Sequence, residues 1–302
     1  MNDFIRLRSV SQLHQMLGQE KPAHPLVTIL DYAKVVHDPS YFEVKILLDF
    51  YLISMKTPAP TSLQYGRQYY DFEEGTMMFM APEQVFTLHD FDEGKQYEGW
   101  GLFFHPDLIV GTALGKKIKD FSFFAYAVHE ALHVSEVEKV ILSSILDHIR
   151  MEYTARLDQH SHTVMVTAIE QLLNYAQRFY DRQFITRQKQ NLDLVARFEQ
   201  LLHQYFSQGL TLEQGLPRVE YFAEQLHLSA DYLSDVLKKE TGKSAKEYLH
   251  TEIIARAKHQ LLNTSHTVNE IAYHLGFEYP QYFNRLFKAK VGMTPVAFRQ
   301  VK

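Results

Sequence analysis

The chain has 302 residues, 46% of them hydrophobic and 22% charged, the balance of a globular protein long enough for two cores. It contains no cysteine, which excludes disulfides, thiolate zinc sites, iron–sulfur clusters and cysteine nucleophiles. The net charge of −5 conceals two halves: residues 1–186 hold 16 Lys and Arg against 24 Asp and Glu, a net of −8, while residues 187–302 hold 15 against 12, a net of +3.

At the start, MNDFIRLRSV lacks the long apolar region of a signal peptide. No apolar run approaches a membrane span, so a cytoplasmic protein without a membrane partner is expected. Ser9 to Leu17 fits a short amphipathic helix. From His24 to about Val134 the chain reads as strands and loops. Val27 to Leu30 is one β-rich run, and Ile46 to Ile53 is another, too continuously apolar for a surface strand. Leu63 to Phe72 and Thr76 to Met80 flank a hairpin turn at Glu73-Glu74-Gly75. Gln84 to Leu88 and Trp100 to Phe104 follow, and the series suggests a sandwich or small barrel.

This region holds patterns that invite a chemical reading. His129-Glu130-Ala131-Leu132-His133 matches H-E-x-x-H, which binds zinc only when both histidines share a helix face. Here Ser135 and Glu138 form a capping box, so the helix begins after the motif, and Val128, Glu130, Leu132 and Val134 alternate as a strand would. Gly111 to Lys117 resembles a phosphate loop but is one residue short and ends in Lys, so a surface loop with solvated lysines is the plainer reading. His24, His37, His89 and His105 lie among the strands without a close His-x-His pair, so no metal and no cofactor are expected. Trp100, Phe103, Phe104, Tyr65, Tyr69 and Tyr70 read singly as core; as a group they leave room for an enclosed apolar pocket.

The helix after Ser135 has a core face of Val137, Val140, Ile141, Ile145 and Ile149. A second helix is predicted from about His162 to Arg182. Its Met165, Ile169, Leu172, Ala176 and Phe179 alternate four and three apart, which fits either packing on the strands or a seam between subunits. Arg182 to Asn191, RQFITRQKQN, is polar and is the best domain boundary. The expected domains are 1–134, 135–186 and 187–302.

A helix from about Leu192 to Phe206 opens the last part. Ser244 and Glu247 then cap a long helix with Tyr248, Leu249, Ile253, Ile254, Ala257 and Leu261 on its buried face. About nineteen residues span roughly 28 Å, comparable to one turn of B-DNA, about 34 Å. Thr267 and Glu270 form another capping box, Ile271, Ala272 and Leu275 give an apolar face, and Gly276 ends that helix. A further helix starts near Pro280, with Tyr282, Phe283, Leu286 and Phe287 as its predicted core face. Gln281, Asn284, Arg285 and Lys288 form a polar stripe opposite. Helix, tight turn and second helix make a helix-turn-helix pattern.

The pattern occurs twice. Tyr232 to Lys238 sits fifty residues before Tyr282 to Lys288, Gly242 matches Gly292, and Ser244 matches Thr294. Ala223 and Leu226 match Ala272 and Leu275 at an offset of forty-nine. A repeated DNA-reading motif is far more specific than a single one. The first stripe is Asp231, Ser234, Asp235 and Lys238, with Lys239 beside it.

The I-A-x-x-L-G-F run at Ile271 to Phe277, the Y-F-x-R-x-F-K run at Tyr282 to Lys288, Gly292, Thr294-Pro295 and Phe298-Arg299 resemble the AraC/XylS-type bacterial transcription regulators. The resemblance covers about a third of the chain, from roughly Leu192 onward. The first stripe departs from it, placing Asp231 and Asp235 where basic or amide side chains are usual. The resemblance implies an α+β protein: an N-terminal cupin-like β-barrel, a helical connector that favours homodimerisation, and a C-terminal all-α double helix-turn-helix domain. The expected function is a non-enzymatic, sequence-specific transcription regulator of double-stranded promoter DNA, with a small-molecule effector and, for an activator, RNA polymerase as further partners. A constitutive DNA binder with a non-sensing barrel, and a metal-dependent barrel enzyme with a DNA-binding tail, are the alternatives.

Overall fold

The computed structural model describes residues 4–35, 39–41, 44–57, 75–87, 98–127, 130–156 and 158–300. It divides into two units, residues 1–185 and 186–302. The first unit begins with β1 (Phe4–Leu7), α1 (Val10–Met16, capped by Ser9), β2 (Val27–Asp31), β3 (Lys45–Leu48) and β4 (Tyr51–Thr57). β5 (Thr76–Met80), β6 (Val85–Thr87), β7 (Glu98–Phe104), α2 (Ala113–Lys117) and β8 (Leu132–His133) follow. The eight strands form a three-stranded sheet, β1-β3-β6, and an antiparallel five-stranded sheet, β2-β7-β4-β5-β8. Among the described residues the ladders do not close these sheets into one barrel. The predicted hairpin turn at Glu73-Glu74-Gly75 and the run Leu63 to Phe72 lie outside the described residues, except Gly75.

The apolar run Ile46 to Ile53 is two strands rather than one. The chain turns at Asp49 and Phe50, leaving β3 in the smaller sheet and β4 in the larger. The corner is held by polar groups: the Asp49 amide donates to the Leu7 carbonyl at 3.0 Å, and the Asp49 carboxylate pairs with Arg6 at 2.8 Å. The turn falls at Asp49, the one charged residue inside the run, which a reading of the run as a single continuous apolar strand passes over. Leu30, Ile46, Leu48, Phe50, Leu52 and Phe103 from the two sheets pack with Leu13 and Met16 of α1 into one core.

Two helices complete this unit, α3 (Glu136–Thr154) and α4 (Ser161–Thr186). The Ser135/Glu138 capping box opens α3 as its spacing requires. Arg182 of α4 reaches back to the Glu138 carboxylate at 2.6 Å and the His133 carbonyl at 2.7 Å, tying α4 to the start of α3. Met165, Ile169, Leu172, Ala176 and Phe179 are all buried inside this chain, none more than 5% exposed. The seam is therefore spent on the protein's own core and offers no apolar surface to a second subunit. On α3, by contrast, Val137 and Val140, read as core, stand 71% and 65% exposed. The polar stretch 182–191, read as a domain boundary, contains the division between the two units and is helical except around Arg187, because it has neither Gly nor Pro to stop a helix.

The second unit is helical: α5 (Gln188–Ser207), α6 (Leu210–Gln214), α7 (Val219–Leu226), α8 (Ala230–Thr241), α9 (Ala245–Asn263), α10 (Val268–His274), α11 (Pro280–Val291) and α12 (Pro295–Gln300). It has two cores that share α9. Ala245 and Leu249 enter the first, with Phe198 and Leu202 of α5, Phe222 and Leu226 of α7, and Leu233 and Leu237 of α8. Ile253, Ile254, Ala257 and Leu261 enter the second, with Ile271 and Leu275 of α10, Phe277, and Phe283 and Phe287 of α11. The 19-residue α9, opened by the Ser244/Glu247 capping box, is thus a single rod spanning both lobes.

Candidate nucleic-acid interface

Each lobe presents its second helix on the same frame. Both α8 and α11 run 12 residues and end on a left-handed glycine. Gly242 (φ 76°) donates to the Lys238 carbonyl at 3.0 Å, and Gly292 (φ 85°) donates to the Lys288 carbonyl at 2.9 Å. The turns before them differ. His227 takes the left-handed conformation after α7, whereas Gly276 takes it after α10. At Gly276 a Cβ would stand 2.5 Å from the Gly215 carbonyl group, so no larger residue fits without moving that backbone.

The predicted contact residues fall on the outward side of these helices. Asp231, Lys238 and Lys239 of α8 are exposed, with Ser234 and Asp235 half-buried; Gln281, Arg285 and Lys288 of α11 are exposed, with Asn284 half-buried. The two stripes are not chemically equivalent. The Ser234 hydroxyl accepts from the Ala245 amide at 3.3 Å and so helps to open α9. The residue matching Ala245 in the other lobe is Pro295, which has no amide to satisfy, and Asn284 carries no such duty. Asp231 lies in the first turn of α8, where the helix dipole favours an anion. Although the residue is exposed overall, partial desolvation of its carboxyl, followed by the neighbouring Asp235 and Glu220, holds that group above the usual carboxylate range. The first stripe is therefore the more acidic surface.

Tyr282 departs from its expected place in the core. It is 56% exposed, whereas its counterpart Tyr232 is 6% exposed. Helix α8 packs against α5 as well as α7 and α9, while α11 packs against α10 and the six-residue α12. The second lobe lacks the long covering helix that the first has. Tyr282 instead lies edge-on to Tyr279 at the rim of a cleft of about 1290 Å³ between the lobes. Arg218, Lys246, His250 and Tyr273 also line this cleft. None of these was legible as a site residue from its motif, although three tyrosines at 273, 279 and 282 around a helix-turn-helix turn are a usable signal.

The other patterns resolve into local structure. Val128 and His129 of the H-E-x-x-H run lie outside the described residues. Glu130 is buried and accepts from the Ala127 amide at 2.6 Å, and His133 lies in the two-residue β8, so this part of the motif is not on an α-helix. The Gly111 to Lys117 segment is a surface turn and the short α2; Lys116 is exposed, and Lys117, its side chain 43% exposed, also bonds Asn174 at 2.8 Å. The ring of His24 accepts from the Leu26 amide and that of His105 from the Asp107 amide; His37 and His89 lie outside the described residues. Among the described residues no three His, Asp or Glu side chains gather as a metal-binding group. Trp100, Phe103 and Phe104 are buried, and Tyr65, Tyr69 and Tyr70 lie outside the described residues. No described helix is long and apolar enough to cross a membrane.

Residues 222–300 match a family model described as a helix-turn-helix domain. The chain is 30% identical over 145 residues to an uncharacterized HTH-type transcriptional regulator, YfiF, of Bacillus subtilis, covering 48% of this chain and 43% of that protein. It is 37% identical over 81 residues to the HTH-type transcriptional activator RhaS of Salmonella arizonae, covering 27% of this chain and 29% of that protein. The solved C-terminal domain of the two-component response regulator yesN from Fusobacterium nucleatum is 33% identical, with a TM-score of 0.30, over 33% of this chain and 96% of that one. The match thus spans less than half the length of both curated relatives.

Proposed function

We propose, from a C-terminal unit that belongs to the AraC-type helix-turn-helix family, that this protein is a sequence-specific regulator of transcription acting on double-stranded promoter DNA. The observation that carries the reading is the pair of equal recognition helices mounted on one rod, α9, with Gln281, Asn284, Arg285 and Lys288 on the outward stripe of α11. Arginine bonds both acceptors of a guanine edge, and glutamine or asparagine bonds adenine in two places. Lysines at the helix ends meet phosphates. The work is binding; no bond is made or broken by these groups. The net of +3 over residues 187–302 supports the same reading.

For residues 1–185 we propose the part of sensor and pairing element, with a small molecule shifting how two copies engage DNA through its differential affinity for two states. RNA polymerase is a further partner if the protein activates. With the α4 seam internal, the pairing surface is assigned to the outward face of α3, where Val137, Val140 and Met151 remain exposed. Val140→Glu should then give folded monomers in sedimentation, whereas Leu172→Glu should unfold the unit by burying a charge.

The test of DNA binding is a titration of the full chain against a randomised duplex pool at several salt concentrations. Enrichment of one motif, with affinity falling steeply as salt rises, is expected. Affinity without any sequence preference, or none at all, would overturn the reading.

A further inference from the structure

We propose that the cleft between the lobes is a third DNA contact, in which Lys246 and His250 receive a backbone phosphate of the strand that passes between the two recognition helices. The inference rests on the DNA-binding reading and adds to it a site that neither stripe contains.

Three observations and one geometric requirement support it. The cleft, about 1290 Å³, lies between the two helix-turn-helix lobes and is bordered by both: Arg218 precedes α7 on one side, and Tyr282 and Arg285 project from α11 on the other. Its floor includes the first half of α9, where Lys246 is exposed and His250 half-buried. Tyr273, Tyr279 and Tyr282, at its rim, are each more than half exposed, although phenol rings are costly to leave in water. Tyrosine hydroxyls are regular donors to phosphate oxygens; that of Tyr279 bonds the Glu278 carboxylate in the free protein, so Tyr273 and Tyr282 are the rings offered to a backbone strand. Finally, a duplex read by two helices on one rod must present its backbone between them, because the two groove segments are separated by phosphates.

The charged groups around His250 determine how it responds. Lys246 and Glu247 neighbour it on α9, and Lys290 and Arg285 face it from α11. Across the cleft stand Arg218 and Glu220, with Glu278 and Tyr279 at the turn. Burial first, then Lys290 and Lys246, hold the His250 imidazole below its ordinary value, while Glu247 opposes them. A phosphate arriving in the cleft reverses the local balance and favours the imidazolium. Binding therefore takes up a proton at His250, and affinity for DNA rises as pH falls through the histidine range.

The experiment uses the full chain and two probes: a duplex selected from a randomised pool, and an unrelated duplex of equal length. Lys246→Ala should weaken both by the same factor and reduce the slope of log affinity against log salt by about one. Wild-type affinity should rise from about pH 8 to about pH 6, by up to about tenfold per unit if one proton is taken up, and His250→Gln should remove most of that rise. Thermal melts of both variants show whether the fold is kept. A salt slope unchanged in folded Lys246→Ala, or a pH dependence unchanged in folded His250→Gln, overturns the cleft contact while leaving the two helices as readers. Absence of salt-sensitive binding by the wild type instead overturns the DNA-binding reading itself.

Discussion

Helices α8 and α11 have the same length and the same left-handed glycine at the end, yet α8 buries Tyr232, Leu233, Val236 and Leu237 where α11 buries only Phe283 and Phe287, and their outward faces differ. The first lobe uses Ser234 to help start α9, buries Tyr232 and gathers Asp231, Asp235 and Glu220. The second leaves Tyr282 in water, has a proline where Ala245 has an amide, and shows Gln281, Asn284 and Arg285. A duplicated backbone fixes where two helices stand. What covers each lobe decides which side chains are left for a partner. On this account α11 reads bases, and α8 contributes register and weaker discrimination.

The largest effect should come from the matched tyrosines. Tyr232→Ala empties a buried site and should lower the unfolding free energy by about 3 kcal/mol or more, while Tyr282→Ala, half in water, should cost under about 1 kcal/mol. Denaturant unfolding of both variants measures this, and equal losses would erase the difference in cover between the lobes. Arg285→Ala should come next, losing about 1–3 kcal/mol of binding on the best duplex and relaxing preference at one base pair. Thr267→Ala removes the hydroxyl that accepts from the Glu270 amide at 3.2 Å, and should cost about 1 kcal/mol of stability. Arg218 stands at the matching place in the first lobe without a side-chain cap, so Arg218→Ala should change stability by no more than about 0.5 kcal/mol. The smallest effect should be that of Asp235→Ala on non-specific affinity, equal to or slightly above wild type because a carboxylate near phosphate is lost.

Much of the second unit was legible in the sequence because its rules are local. Four of its helix starts, at Ser229, Ser244, Thr267 and Thr294, carry capping residues, and Ser244 and Thr267 complete boxes with Glu247 and Glu270. The repeat at fifty residues required only that residue spacing be read. What escaped notice depends on neighbours far along the chain. Tyr282 looks apolar and periodic; only the absence of a helix like α5 beside α11 exposes it. The α4 seam has the spacing of an interface, but spacing does not say whether the chain's own core already covers it. The corner at Asp49 and Phe50 was passed over because a single carboxylate separates two apolar runs, and only its distant partners, Arg6 and the Leu7 carbonyl, show that the chain turns there. Lys246 and His250 sit between the two motifs on α9 and meet the cleft only when both lobes are assembled.

The division of labour between the two helices is tested most directly by measuring Arg285→Ala and Asp235→Ala, as full chains, over one randomised duplex library at several salt concentrations. The account predicts that Arg285→Ala flattens preference at one base pair of the strongest half of the site, while Asp235→Ala keeps overall affinity and blurs at most one position in the other half. Equal loss on every sequence for Arg285→Ala, together with a collapse of binding in folded Asp235→Ala, would contradict it and assign base reading to α8.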